Sequence, residues 1–422
     1  MKKRLILILI IIAVLVVAAV SIVLTLTNGK NLDAQPTKSP DEVLTAEQAK
    51  EDLVFMYETV RDNHPCYLDG SGLDKVFDKA YEEAEEKLSA CDIVTVRDLW
   101  EIGAEMYCSI EDGHTFINFY DSKRISENEI LASGKIVRVD GVSREELLSR
   151  FRKVFPCEPQ VDFYVDYMLD EALKLESWNQ LLEIDTSDGV IVEVQTESGV
   201  EVLECTFGYK PSETVNEDTS VEGFYSYEFY EENLAAVFTL DKCVVTDGYK
   251  KALEEFFQQV NEKNIIRVAV DLRRNGGGNS QVINEFMKYI DVDSYYIFGG
   301  NAVRFNKLLI ENKAAQYKNK KNGNVFSGEL YALTSNYTFS SAMMFAVTVS
   351  DNKIGKVIGE IPGNMPASYG DVLKFQAPNS KLICSVSYKK FYRADRAKDD
   401  IPLIPDIETD EKDALEVFLN LK

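Results

Sequence analysis

The run VAVDLRRNGGG at 268–278 constrains this chain more than any other stretch. Val268, Ala269, Val270 and Leu272 are apolar at nearly consecutive positions, which predicts a strand covered on both faces. Asp271 and Arg273 stand where that strand emerges. Asn275 and three glycines follow, and then the spacing of Val282, Ile283, Phe286 and Ile290 predicts a helix. Glycines at the end of a buried strand permit positive φ and let another group approach the backbone closely. Their amides, at the mouth of the next helix, can receive a developing negative charge. Read alone, the stretch is equally an ordinary strand-to-helix turn.

The surrounding chain has the same rhythm. Strand patterns at 234–240, 265–272, 329–334 and 356–359 alternate with helical patterns at 248–260, 281–290 and 341–349, and a last helix is expected over 410–421. Strands alternating with helices imply an α/β fold with a mainly parallel sheet and flanking helices, here over 225–422.

Upstream, Thr45 and Gln48 read as a capping box. Ala49, Leu53, Met56 and Val60 then form one helical face that should end at His64-Pro65. Two further helices, through Leu73–Leu88 and Val96–Met106, complete an N-terminal helical unit over 45–125. Residues 126–224 form a small β-rich middle domain, with strands expected at 189–195 and 200–207 about a turn closed by Gly199.

At the N-terminus, Lys2, Lys3 and Arg4 precede residues 5–27, which carry no charge. That run is long enough to span a bilayer and too long for the apolar core of a secretory signal. The expectation is a single-pass membrane anchor over 1–27, a linker over 28–44, and the bulk of the chain outside the cytoplasm. The net charge is −24, which disfavours nucleic acid and anionic lipid as partners. Seven scattered cysteines form no CxxC pair, so neither a zinc site nor a dense disulfide framework is expected; one or two disulfides are compatible with the count.

Phe339-Ser340-Ser341-Ala342 opens a helix just after a strand. Serine there serves as an N-cap or as a nucleophile at the positive end of the helix. A nucleophilic serine needs a base. The chain has two histidines: His64, at a helix end, suits a structural role, and His114 lies in a turn between helix and strand.

Several segments together resemble the serine peptidase family of C-terminal processing (tail-specific) proteases and tricorn core proteases. They are DLRRNGGG at 271–278, TSNYTFSSAMMFA at 334–346, IGE at 358–360, IPLIPDI at 401–407, SIEDGHTF at 109–116 and His64-Pro65. The resemblance implies a ClpP/crotonase-like catalytic core, and it leaves 126–224 as a degenerate PDZ-like module at most. It implies peptide-bond hydrolysis through an acyl-enzyme, on a peptide or protein substrate, with no cofactor and no metal. Processing proteases use a lysine shortly after the Gly-Glu pair, and residues 359–365 have none. The likeness is therefore to the tricorn-like, His-type branch. It puts the nucleophile at Ser341, with Ser340 the neighbouring alternative, and the base at His114. The acid falls at Asp399, with Asp395 and Asp400 as alternatives, and the oxyanion hole at Gly277 and Ala342. The rival reading is a non-catalytic peptide- or ligand-binding protein on the same fold. Oligomeric state is not legible in the sequence.

Overall fold

The computed structural model describes residues 34–119, 123–126, 128–209 and 223–421. The expected anchor at 5–27 lies outside them. Among the described residues no helix is long and apolar enough to cross a membrane.

Three helices open the described chain: α1 (Ala46–Asn63), α2 (Leu73–Ser89) and α3 (Val96–Cys108). The expected capping box on α1 is present: Gln48 N–H donates to Thr45 Oγ1, and Thr45 N–H donates to Gln48 Oε1. Its buried face is the expected one, Ala49, Leu53, Met56 and Val60. After α3 the chain turns through Asp112–Thr115 into β1 (Phe116–Asn118).

The middle unit holds β2 (Lys135–Val139), β3 (Val142–Ser143), α4 (Arg144–Val154), α5 (Phe163–Leu173), β4 (Val190–Thr196) and β5 (Gly199–Cys205). Its strands form an antiparallel sheet in the order β3-β2-β4-β5. Val190, Val192 and Val194 face its core while alternate residues face out, the period-2 pattern that made these strands legible.

The C-terminal part is built on a six-stranded sheet. Its strands are β6 (Tyr225–Tyr230), β7 (Ala235–Leu240), β8 (Arg267–Asp271), β11 (Glu329–Thr334), β12 (Gly355–Gly359) and β15 (Ile407–Glu408), in that spatial order. The β6–β7 pair is antiparallel and the remaining pairs are parallel. Every residue of β8 is buried, as its apolar run requires. One face is covered by α6 (Asp247–Glu262), α7 (Gln281–Met287) and α8 (Ser341–Asp351), and the other by α9 (Ala414–Leu419).

A second, antiparallel sheet carries no counterpart in the sequence reading. It comprises β9 (Gly300–Phe305), β10 (Leu308–Lys313), β13 (Tyr369–Gln376) and β14 (Ile383–Phe391), ordered β10-β9-β14-β13, with β1 paired to β14. This sheet redraws the N-terminal boundary. Ala377, Leu382, Cys384 and Val386 belong to the same core as Leu53, Met56 and Trp100, so the three N-terminal helices have no core of their own. Polar groups fix the junction. The buried Asp52 carboxylate accepts from Asn379 N–H and Ser380 N–H at 2.9 and 2.7 Å. Arg304 of β9 donates to the carbonyls of Arg61 and His64 that end α1. All seven cysteines are free, so no disulfide supports the fold.

Candidate active site

Two turns at the C-terminal edge of the six-stranded sheet lie against each other. The first leaves β8 as Leu272–Gly278. Asn275, fully buried, organises it: its side-chain amide donates to Leu240 O at 2.7 Å and its Oδ1 accepts from Gly277 N–H at 2.8 Å. The second turn leaves β11 as Ser335–Ser340. Ser335 Oγ donates to Arg273 O, Thr338 Oγ1 donates to Leu272 O, and Phe339 N–H donates to Asn275 O. Glu360, from the Gly-Glu pair after β12, accepts from Asn336 N–H at 2.9 Å and so fixes the start of this turn. The spaced segments of the sequence thus meet through backbone groups, which sets their mutual geometry firmly.

The two serines differ in what they do. Ser341 is buried and its hydroxyl donates to Gly278 O at 2.7 Å, a bond that ties the two turns together. Ser340 has φ 53° and ψ −123°, a costly conformation for a residue with a side chain. It is half-buried, its hydroxyl has no partner in the described chain, and its N–H donates to Asn364 Oδ1 at 2.7 Å. Gly277, at φ 102°, lies directly beneath it.

The expected oxyanion donors are otherwise engaged. Gly277 N–H is held by Asn275, and Ala342 N–H donates to Phe339 O at 3.1 Å. The amides of Gly276 and Ser341 have no acceptor among the described residues. Ser341 N–H is the first of α8, where unsatisfied amides and the helix dipole favour negative charge.

His114 approaches from the N-terminal unit. Its ring lies 4.7 Å from that of Phe339, the residue before Ser340. Nδ1 stands 3.6 Å from Asp112 Oδ1, an ion-pair distance longer than a hydrogen bond. Asp112 is itself immobilised. Its Oδ1 accepts from His114 N–H, and its Oδ2 accepts from Thr115 Oγ1 and Ser387 Oγ, each at 2.6 Å. His64 Nε2 lies 3.2 Å from the same oxygen. His64 Nδ1 accepts from Cys66 N–H, which leaves Nε2 as the protonated, donating nitrogen. Burial works against the Asp112 carboxylate, but the bonds and charges of His114 and His64 outweigh it and hold its pKa well below the usual range. For His114, burial lowers the pKa; Asp112, with Glu158 and Asp371, outweighs this and raises it above 6.5.

The expected acid, Asp399, is elsewhere. Its carboxylate accepts from Arg393 N–H at 2.9 Å and Arg396 Nε at 2.8 Å. Arg393 in turn holds Asp351, the last residue of α8. Asp399 is therefore tied to the end of that helix opposite the serines, about 15 Å along its axis. Asp395 belongs to the same cluster through Lys398, and Asp400 is exposed. The acid beside His114 is Asp112, two residues away in sequence and hidden inside the motif that named the histidine.

Sequence reasoning also missed Glu158, which follows α4 in the middle unit. Its two oxygens are buried without a hydrogen-bond partner. Desolvation, reinforced by the Asp112 charge, pushes its pKa up to about 8. The middle unit touches the serine turn as well: Tyr164 stacks on Phe339 at 4.8 Å and Tyr167 on Tyr337 at 5.3 Å.

Comparison with known proteins agrees with this architecture. Residues 236–409, which carry both turns and the sheet under them, match the model of peptidase family S41. Over these residues the chain is similar to that family, and the match supports a serine-type peptidase. Its fold is similar to that of mature CPAF, with a TM-score of 0.64 at 12% identity over 89% of this chain and 96% of that one. The structure of mature CPAF complexed with lactacystin superposes with a TM-score of 0.61 at 11% identity, again over 89% and 96% of the two chains. The photosystem II D1 C-terminal processing protease gives a TM-score of 0.49 at 13% identity, over 87% and 94%. No curated protein is similar in sequence.

Proposed function

We propose that this chain hydrolyses peptide bonds with Ser340 as nucleophile and His114 as general base, oriented by Asp112. The observation that carries the reading is the backbone of Ser340. A serine at φ 53° and ψ −123° projects an unpaired hydroxyl at the start of a helix whose first amide, that of Ser341, is unpaired, as is that of Gly276 in the turn packed against it. Strain of that kind persists only where surrounding contacts enforce it, and the seating of Gly277 beneath Ser340 is such a contact. In this scheme His114 removes the serine proton as the hydroxyl attacks the substrate carbonyl. The amides of Gly276 and Ser341 receive the oxyanion. His114, protonated and stabilised by Asp112, then gives its proton to the leaving amine, and water releases the acyl-enzyme. Ser341 keeps a structural role. We further propose that residues 5–27 anchor the enzyme in the cell membrane with its catalytic part outside the cytoplasm, so that its substrates are extracytoplasmic peptides or proteins; support for this is the uncharged run after Lys2-Lys3-Arg4.

The test is active-site labelling with a fluorophosphonate, with lactacystin, the ligand in one CPAF structure, as a second reagent. The adduct is mapped by mass spectrometry. Modification of Ser340, abolished by Ser340→Ala and by His114→Ala but retained in Ser341→Ala, is the expected result. Modification of Ser341, or no modification of folded wild-type chain by either reagent, would overturn the assignment.

A further inference from the structure

One group in this centre has no task in hydrolysis. Glu158 reaches the site from the middle unit, and both its carboxylate oxygens are buried without a well-formed hydrogen bond, with only the backbone amides of Gly113 and of Glu158 itself nearby. Burying an unpartnered carboxylate is costly, and native structures rarely retain one without a use. Donor atoms of Asp112, His114 and Glu158 all lie within 4.8 Å of one another. Both His114 ring nitrogens are likewise buried without a hydrogen-bond partner. Asp112 Oδ2 is saturated by Thr115, Ser387 and His64, whereas its Oδ1 faces His114 and has only one backbone donor.

We propose that Asp112, His114 and Glu158 form a binding site for a zinc-like divalent cation that switches the enzyme off. One imidazole and two carboxylates are a ligand set such a cation accepts, and three protein ligands leave a fourth position for water. A divalent charge would satisfy the buried oxygens of Glu158 and draw the three side chains together. Occupancy would take His114 away from its serine. Only this last effect rests on the reading of His114 as base; the binding itself does not.

The test uses metal-free chain and two readouts. Calorimetric titration with Zn²⁺ and the visible spectrum of the Co²⁺ form report binding without reference to activity. Fluorophosphonate labelling with and without Zn²⁺ reports its consequence. The expected result is one equivalent of Zn²⁺ bound and a Co²⁺ spectrum without thiolate bands. Zn²⁺ should suppress labelling, and a chelator should restore it. Glu158→Gln should weaken Zn²⁺ binding at least tenfold while still labelling in the absence of metal, and Glu158→Asp should fall between the two. Equal Zn²⁺ affinity in wild type and a folded Glu158→Gln would overturn the site. So would thiolate bands, which would place the ion on the free cysteines. If metal-free wild type is not labelled yet binds Zn²⁺ in a Glu158-dependent way, the peptidase assignment fails and the metal site stands.

Discussion

A methyl group built on Gly277 would lie 2.7 Å from Ser340 Cβ and 3.0 Å from Ser341 N. The glycine is not a generic turn residue: it presses against the two residues that supply hydroxyl and amide. Its φ of 102° also excludes comfortable substitution. Gly277→Ala should lower Tm by several degrees and reduce fluorophosphonate labelling by about 10² or more, since displacements near 1 Å at a reacting centre have effects of that size. Thermal melts and labelling rates on the same preparation check both.

Asp399 separates position in a motif from position in space. Asp399→Ala removes the acceptor for Arg393 N–H and Arg396 Nε. It should cost about 1–2 kcal/mol of stability. Labelling measured well below the melting temperature should equal that of wild type, whereas Asp112→Asn should slow it by orders of magnitude.

His114 must be neutral to act. Asp112, Glu158 and Asp371 raise its pKa above 6.5, against the effect of burial. Labelling should therefore increase with pH through an apparent pKa above 6.5. Asp112→Asn removes the main stabiliser of the protonated ring and should move that midpoint down. A labelling-rate profile against pH measures both.

Glu158 gives the opposite signature in stability. Its pKa is about 8 in the folded chain against 4.5 for an unperturbed glutamate, so the folded form holds the proton more tightly. Its contribution is full below 4.5 and is lost as pH rises toward 8. Glu158→Gln cannot ionise. The Tm of the variant relative to wild type should therefore rise steadily from acidic to alkaline pH; a difference independent of pH would contradict the burial argument.

The four central strands of the six-stranded sheet were legible because burial on both faces imposes an apolar run, as β8 shows, whereas the edge strands β6 and β15 are only partly buried and carry no such run. The antiparallel sheet was not. β13 and β14 carry lysines, serines and tyrosines beside their apolar residues, and β10 is largely exposed, so neither the alternating nor the fully apolar signature is strong. The motifs brought the two turns together, and the nucleophile proposed here is the neighbouring alternative, one residue before Ser341. What sets the adjacent serines apart is a single backbone rotation, φ 53° at Ser340, which no spacing encodes. Asp112 lay within a quoted motif, yet its task depends on Ser387 and His64, far along the chain. Glu158 gave no local signal, because its significance is the absence of partners once the middle unit has docked.

The bond from Ser387 Oγ to Asp112 Oδ2 joins positions 275 residues apart. The strand that supplies Ser387 is made after His114 and after the glycine and serine turns. A chain that ends before β14 carries His114, but it lacks both the Ser387 bond to Asp112 and the residues that complete the core of the first three helices. Contacts of such sequence separation form slowly and late. On the proposed assignment, reactivity of the serine therefore certifies that β14 has been made and docked: a chain clipped before β14 would carry no armed hydroxyl to turn on its neighbours.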